Sequence, residues 1–239
     1  MKKFLAMLAF AAALFVACDN TDPDDPDNPS GGTEYKQPIT IDGDFADWAK
    51  LDASKVQVVK CAANAEKKDL KLAKVYADKY FVFVYLEFDF SAYDGAVTMA
   101  HVDFMFDGDA SAETGGYASC WNMPQIDVLI EGSTIDDSTV AEAFDAPAFL
   151  WSGGVGEDGW AWTEVEGLTG FIEGKGNKQA WEFRITRELY PSGKLAKDFN
   201  LGILTTVNGW DCTGYLPNAD VTEDNPSGFA PLLLVKQNK

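Results

Sequence analysis

The strongest pattern along the chain is the alternation in Tyr80 to Phe90, YFVFVYLEFDF. Tyr80, Val82, Val84, Leu86, Phe88 and Phe90 share one face, and Phe81, Phe83, Tyr85, Glu87 and Asp89 share the other. Polarity enters only on the second face, so the period of two predicts a strand with its first face buried. Asp78-Lys79 makes a turn before it, so Val75 to Ala77 reads as the tail of an earlier strand. Thr98 to Asp107 repeats the logic. Ala100, Val102, Phe104 and Phe106 point inward there, against Met99, His101, Asp103, Met105 and Asp107 on the opposite face. Gln125 to Glu131 predicts a further strand with Ile126, Val128 and Ile130 inward. Trp160 to Val165, Ala180 to Ile185 and Leu201 to Val207 predict three more. Glycines at 153, 154, 156, 174 and 176 read as turns between them. Helix is expected to be minor: a piece at Thr139 to Phe144 stopped by Pro147, and a turn at Arg187 to Tyr190 stopped by Pro191. Short, regularly spaced strands with turn signals predict an all-β protein, an antiparallel β-sandwich.

The chain opens differently. Lys2 and Lys3 precede an unbroken apolar run, Phe4 to Val16, which is the length of a signal-peptide core and too short to span a bilayer. Leu14-Phe15-Val16-Ala17-Cys18 resembles a bacterial lipobox, in which cleavage before the Cys leaves a thiol that carries a diacylglycerol. Phe15 stands where Leu is commoner. The resemblance implies a signal peptide over 1–17 and lipid attachment at Cys18. Each buried methylene of an acyl chain contributes roughly 0.8 kcal/mol to anchoring. Residues 18–35 then alternate Asp19, Asp22, Asp24, Asp25 and Asp27 with Pro23, Pro26 and Pro29, and end in Gly31 and Gly32. With no apolar side chain to pack, this segment reads as an extended, self-repelling tether. It also resembles the acidic stretch that sends lipoproteins of Bacteroides-like bacteria to the outer face of the outer membrane. Residues 36–239 are expected to form one β-sandwich domain.

Composition sharpens this picture. Aromatics make up 13% of the chain and seven residues are Trp, more than a core alone needs, which leaves rings for a binding surface. The net charge is -19, and removal of Lys2 and Lys3 takes it to -21 (-19 minus 2). Such a surface repels nucleic acid and other polyanions and favours neutral ligands or cations.

The segment Ile39 to Trp48, ITIDGDFADW, resembles the opening of family 9 carbohydrate-binding modules and their DOMON-like relatives. In those proteins a first strand ends in Asp-Gly and an Asp-Trp follows. KVYADKYFVFVYLEF, HVDFMFDGDASAETGG and WEFRITRELY resemble later family segments in the same order, so the likeness covers most of Pro38 to Pro217. It implies a jelly-roll-like β-sandwich, often with structural calcium, that frequently binds sugars through aromatics. Some relatives bind haem instead.

Trp121 and Trp210 lie in polar segments between predicted strands. An indole stacks on the C–H face of a sugar ring, while amides and carboxylates such as Asn122, Gln125, Asn208 and Asp211 suit its hydroxyls. The family resemblance implies a pair of loop tryptophans clamping the sugar, with Trp210 the better positional match. Packing of both at the rim of the core is the competing expectation. Trp48 and Trp181 read as core, and Trp151, Trp160 and Trp162 are open between core and surface. Asp107, Asp109 and Glu113, in DGDASAETGG, offer oxygens and a turn glycine to a calcium ion, without EF-hand spacing. Three cysteines remain after Cys18, so at most one intramolecular disulfide forms; Cys120 with Cys212 is the expected pair. Zinc and CxxC redox motifs are absent from the sequence.

His101 is the sole histidine, flanked in alternation by Met99, Asp103 and Met105. A haem ligand and a hydrogen-bonded groove residue are its two readings. No Ser/His/Asp motif is present and no carboxylate pair carries a signature, so a non-catalytic role is expected. The expected function is a lipid-anchored, cell-surface protein that binds polysaccharide or oligosaccharide and stacks it on loop tryptophans. A haem binder and a structural or adhesive subunit of a surface protein complex are the alternatives.

Overall fold

The computed structural model describes residues 35–238 except 112, 117, 119, 122–124, 158 and 190–194. The signal segment, Cys18 and the acidic tether lie outside the described residues, as does Asn122. The β body runs from Pro38 to Lys239. Thirteen strands are described: β1 (Gln57–Lys60), β2 (Leu70–Ala77), β3 (Phe81–Phe88), β4 (Ala100–Asp107), β5 (Val128–Asp136), β6 (Thr139–Val140), β7 (Ala148–Trp151), β8 (Trp162–Glu164), β9 (Ile172–Gly176), β10 (Ala180–Thr186), β11 (Asp198–Val207), β12 (Cys212–Leu216) and β13 (Leu233–Lys236). They form two antiparallel sheets. The smaller runs β1-β2-β3-β10-β9 and the larger β12-β11-β4-β5-β7-β8, with β13 also on β11 and β6 on β5. The protein is an all-β sandwich.

The expected inward faces meet between the sheets. Val82, Val84 and Leu86 of β3 and Trp181, Phe183 and Ile185 of β10 pack against Val102, Phe104 and Phe106 of β4 and Phe199, Leu201 and Ile203 of β11. The second face of β3 is apolar for its own reason. Phe83 and Tyr85 pack under the segment that precedes β1, against Ile39, Phe45 and Trp48. That segment is held by Glu182, whose Oε1 accepts from the Asp42 and Gly43 amides (3.1 and 2.8 Å) and whose Oε2 accepts from Trp48 Nε1 (3.2 Å). Burial raises the Glu182 pKa, and those three donors oppose the rise. Gly43 has φ of +83°, a left-handed conformation that favours Gly in this turn.

The expected helix at Thr139 to Phe144 does not form, and the expected turn at Arg187 to Tyr190 lies only partly within the described residues. Thr139–Val140 is a strand paired with Ile135 and Asp136, because ladder hydrogen bonds outweigh the weak helix preference of a short segment. The chain bends at Arg187. Its side chain turns inward, where the guanidinium donates to the carbonyls of Asp78, Leu195, Ala196 and Lys197 and lies over the Phe199 ring. Ile126 is buried but belongs to a second small core with Trp121 and Tyr215, outside the space between the sheets.

Candidate functional site

The outer face of the larger sheet carries the chemistry. Strand pairing fixes its rows. Thr206, His101 and Ser133 lie side by side on β11, β4 and β5; the next row is Leu204, Asp103 and Glu131; the next is Gly202, Met105 and Leu129. Chain excursions between strands form walls over this face. One, between β4 and β5, brings Ala118, Cys120 and Trp121 over Met105 and Leu204. The other, between β7 and β8, brings Gly159 and Trp160. Between them lies a groove of about 200 Å³ lined by Asp103, Glu131, Met105, Leu129, Leu204, Cys120, Trp160 and Trp162, among others. A larger hollow of about 450 Å³ beside β7 and β8 is lined by Leu150, Val165 and Leu168 together with Ser152, Thr163, Glu164 and Glu166. It holds none of the buried, unpartnered polar atoms of the described residues.

Three such atoms cluster on the grooved face: Asp103 Oδ1, His101 Nδ1 and Thr206 Oγ1. Native folds pair most of their buried polar groups, so unpaired ones gathered in one place mark a surface made for something else. Burial drives the Asp103 pKa well above the carboxylate range, with the charges of Glu131 and Cys120 adding to it. Burial also raises Glu131. His101 is pushed down by burial, against a weaker upward pull from Asp136.

The two expected loop tryptophans part company. Trp210 is 68% exposed, and its ring lies on His101 at 4.6 Å between centroids. His101 and Asp103 are alternate residues of β4, so Trp210 stands about 7 Å along the strand from the groove floor. Trp121 is fully buried: its Nε1 donates to the Pro217 carbonyl at 2.9 Å and its ring meets Tyr215 edge-on. It cannot stack on a ligand. The loop lands Trp121 on Gly202, where a Cβ would come within 2.7 Å of the indole. The exposed partner is Trp160 instead, 67% exposed and packed edge-on to Phe149 at 5.9 Å. Trp162 pairs edge-on with Trp151, whose Nε1 donates to Gly154 O. Trp48 and Trp181 are core, as expected.

Of the expected polar partners, Asp211 is exposed beside Trp210. Gln125 Oε1 is buried with no partner. Asn208 is committed elsewhere. It sits at φ of +54°, accepts from the Thr98 amide and hydroxyl, and donates to Ala96 O, so its amide shapes the turn rather than facing a ligand. His101, read as either a haem ligand or a hydrogen-bonded groove residue, is covered by Trp210 and its Nδ1 has no partner, while Met105 packs in the Trp121 cluster.

The acidic loop differs from expectation in one member. A carboxylate oxygen from each of Asp107, Asp109 and Asp127 lies within 4.8 Å of the others, the only such group among the described residues. Glu113 is exposed and outside this group; its backbone amide bonds to Ser111 Oγ. Asp127 takes its place, because β4 and β5 pair and bring the two feet of the intervening excursion together. Asp107 is 6% exposed; its Oδ2 accepts from Asn200 (2.8 Å) and its Oδ1 has no partner. Burial raises both Asp107 and Asp127, and Asp109 adds to each. Three converging carboxylates, one of them with a buried oxygen that has no partner, are hard-oxygen donors of the kind calcium takes.

No family model matches the chain, and no curated protein matches it. The likeness to family 9 carbohydrate-binding modules therefore rests on the sequence motifs alone.

Cys120 and Cys212 are in contact as thiols and are not joined by a disulfide. The hydrogen bond that Cys212 donates to Cys120, then burial, raises the Cys212 pKa. Trp160, Glu131 and Asp127 were not assigned to a site by sequence reasoning. The available signal was a carboxylate alternating with apolar residues inside a strand, as in HVDFMFD and DVLIEGS.

Proposed function

We propose that this protein binds carbohydrate on the outer face of its larger sheet, stacking sugar rings on Trp210 and Trp160 without catalysing a reaction. One observation carries the reading: two indoles, each about two-thirds exposed, beside a groove whose floor is polar and unpaired. Large exposed aromatics next to fixed polar groups are what a ligand with an apolar face and a hydroxyl rim requires. The groove is smaller than the roughly 300–1,000 Å³ that encloses a drug-sized ligand. It therefore receives one ring or substituent while the rest of the glycan lies across the surface. The lipobox-like stretch and acidic tether support a reading of this module as lipid-anchored through Cys18 on the outer membrane and exposed at the cell surface, where other surface proteins could join it. Titration with a panel of plant, host and microbial oligosaccharides tests the reading. Trp210→Ala and Trp160→Ala are each expected to weaken binding about tenfold or more. Unchanged affinity in both variants contradicts it.

Asp107, Asp109 and Asp127 would hold a structural calcium that ties together the two feet of the groove wall. In chelator-treated protein, calcium at a hundredfold excess over its Kd is expected to add about 2.7 kcal/mol, or about 5–10 °C in Tm for a chain of this size. Asp127→Asn should abolish the gain. A Tm indifferent to calcium removes the site.

A further inference from the structure

We propose that the groove recognises a sugar unit bearing a positively charged amino group, with its ammonium placed between Asp103 and Glu131. The inference rests on the carbohydrate reading and specifies its ligand. Asp103 and Glu131 face each other directly across β4 and β5, and both line the groove. Like charges at directly opposed sheet positions destabilise the pair. No cation among the described groove residues relieves them here. Asp103 is 7% exposed and its Oδ1 has no hydrogen-bond partner, and among the described residues no Lys or Arg lines the groove. A buried carboxylate is ordinarily paired or hydrogen-bonded; left alone, it holds its proton. The upward push on both carboxyl groups, from burial first, agrees with that resting state.

An ammonium would supply the missing counter-charge and donate to both carboxylates at once. Three further features suit the same ligand. Trp160 and Trp162 line the groove, and indole faces attract cations. The -19 net charge draws cationic glycans to the surface and repels uronate or sulfated ones. In the adjoining row, His101 Nδ1 and Thr206 Oγ1 lack partners beneath Trp210, which adds unpaired polarity next to the groove.

The test is calorimetric titration of the purified full chain, in slightly acidic buffer that keeps the amine charged. The ligands are a glucosamine oligomer, its fully N-acetylated counterpart and a neutral glucose oligomer of equal length. The glucosamine oligomer is expected to bind at least about tenfold tighter than either, the weight of one charge-assisted hydrogen-bonded contact. Asp103→Asn and Glu131→Gln keep the shape and remove the charge, and each is expected to bring the three ligands towards equal affinity. Equal or tighter binding of the acetylated or neutral oligomer overturns the amino-sugar inference and leaves the carbohydrate reading standing. Binding of none of these, nor of any other glycan, overturns both. A glucosamine preference that survives in both variants overturns the placement at Asp103 and Glu131.

Discussion

Replacing Phe183 by alanine is expected to destabilise the sandwich by about 3–5 kcal/mol, the range for removing a fully buried aromatic. Phe183 lies mid-strand in β10 with no exposed surface. Its ring meets Phe104 at 5.0 Å and Phe144 at 5.0 Å, both edge-on, and stacks beside Trp181 at 5.8 Å. These contacts join the two sheets, since Phe104 belongs to β4. The site is poorly placed to collapse around a void. A Cβ added at Gly174, on the neighbouring β9, would sit 2.7 Å from the Phe183 ring, so that backbone is already as close as it can come. The cavity should therefore persist, which puts the loss at the upper end of the range. Urea unfolding checks this: the midpoint should fall with the slope unchanged. A loss below about 1 kcal/mol would mean the two sheets do not interdigitate at this ring.

Replacing Glu182 by alanine is expected to remove about 2–3 kcal/mol, and to do so locally. One carboxylate satisfies three donors of the segment covering the smaller sheet: the amides of Asp42 and Gly43 and the Trp48 indole. Alanine leaves the buried Trp48 donor without an acceptor and releases the turn beside it. Relief from burying the Glu182 charge offsets part of the loss. Hydrogen exchange separates this from a global effect. The Asp42, Gly43 and Trp48 indole protons should exchange about a hundredfold faster, while amides in the β4–β11 pair change much less. Retained protection at all three would show that the segment is held by the packing of Ile39 and Trp48 rather than by Glu182.

How legible these features were in the sequence varied with the physics. β3, β4 and β10 were readable because each buries one complete face, so their apolar positions alternate without interruption. β9 was hidden because Gly174 and Gly176 read as a turn. Both lie in the strand, at positions where a Cβ would strike Phe183 and Trp181. β1 and β13 are short and half-exposed, so burial leaves little period in them. The candidate site was legible in kind but not in membership. Trp121 and Trp210 occupy similar polar segments, and only the landing of Trp121 on Gly202 separates a buried ring from an exposed one. The pairing of Asp103 with Glu131, and of Asp107 with Asp127 at the loop feet, follows from the β4–β5 register, which alternation along a single strand does not report. The contact between Cys120 and Cys212 was anticipated, though the two remain thiols.

The most direct measurement is a proton–nitrogen NMR spectrum of the indole groups during titration with the glycan that binds best. The Trp160 and Trp210 signals, with Trp162 beside the groove, should move together and saturate at one affinity, while buried Trp121 and Trp181 stay in place. Saturable glycan binding that leaves Trp160 and Trp210 unmoved would contradict a ligand surface on the outer face of the larger sheet.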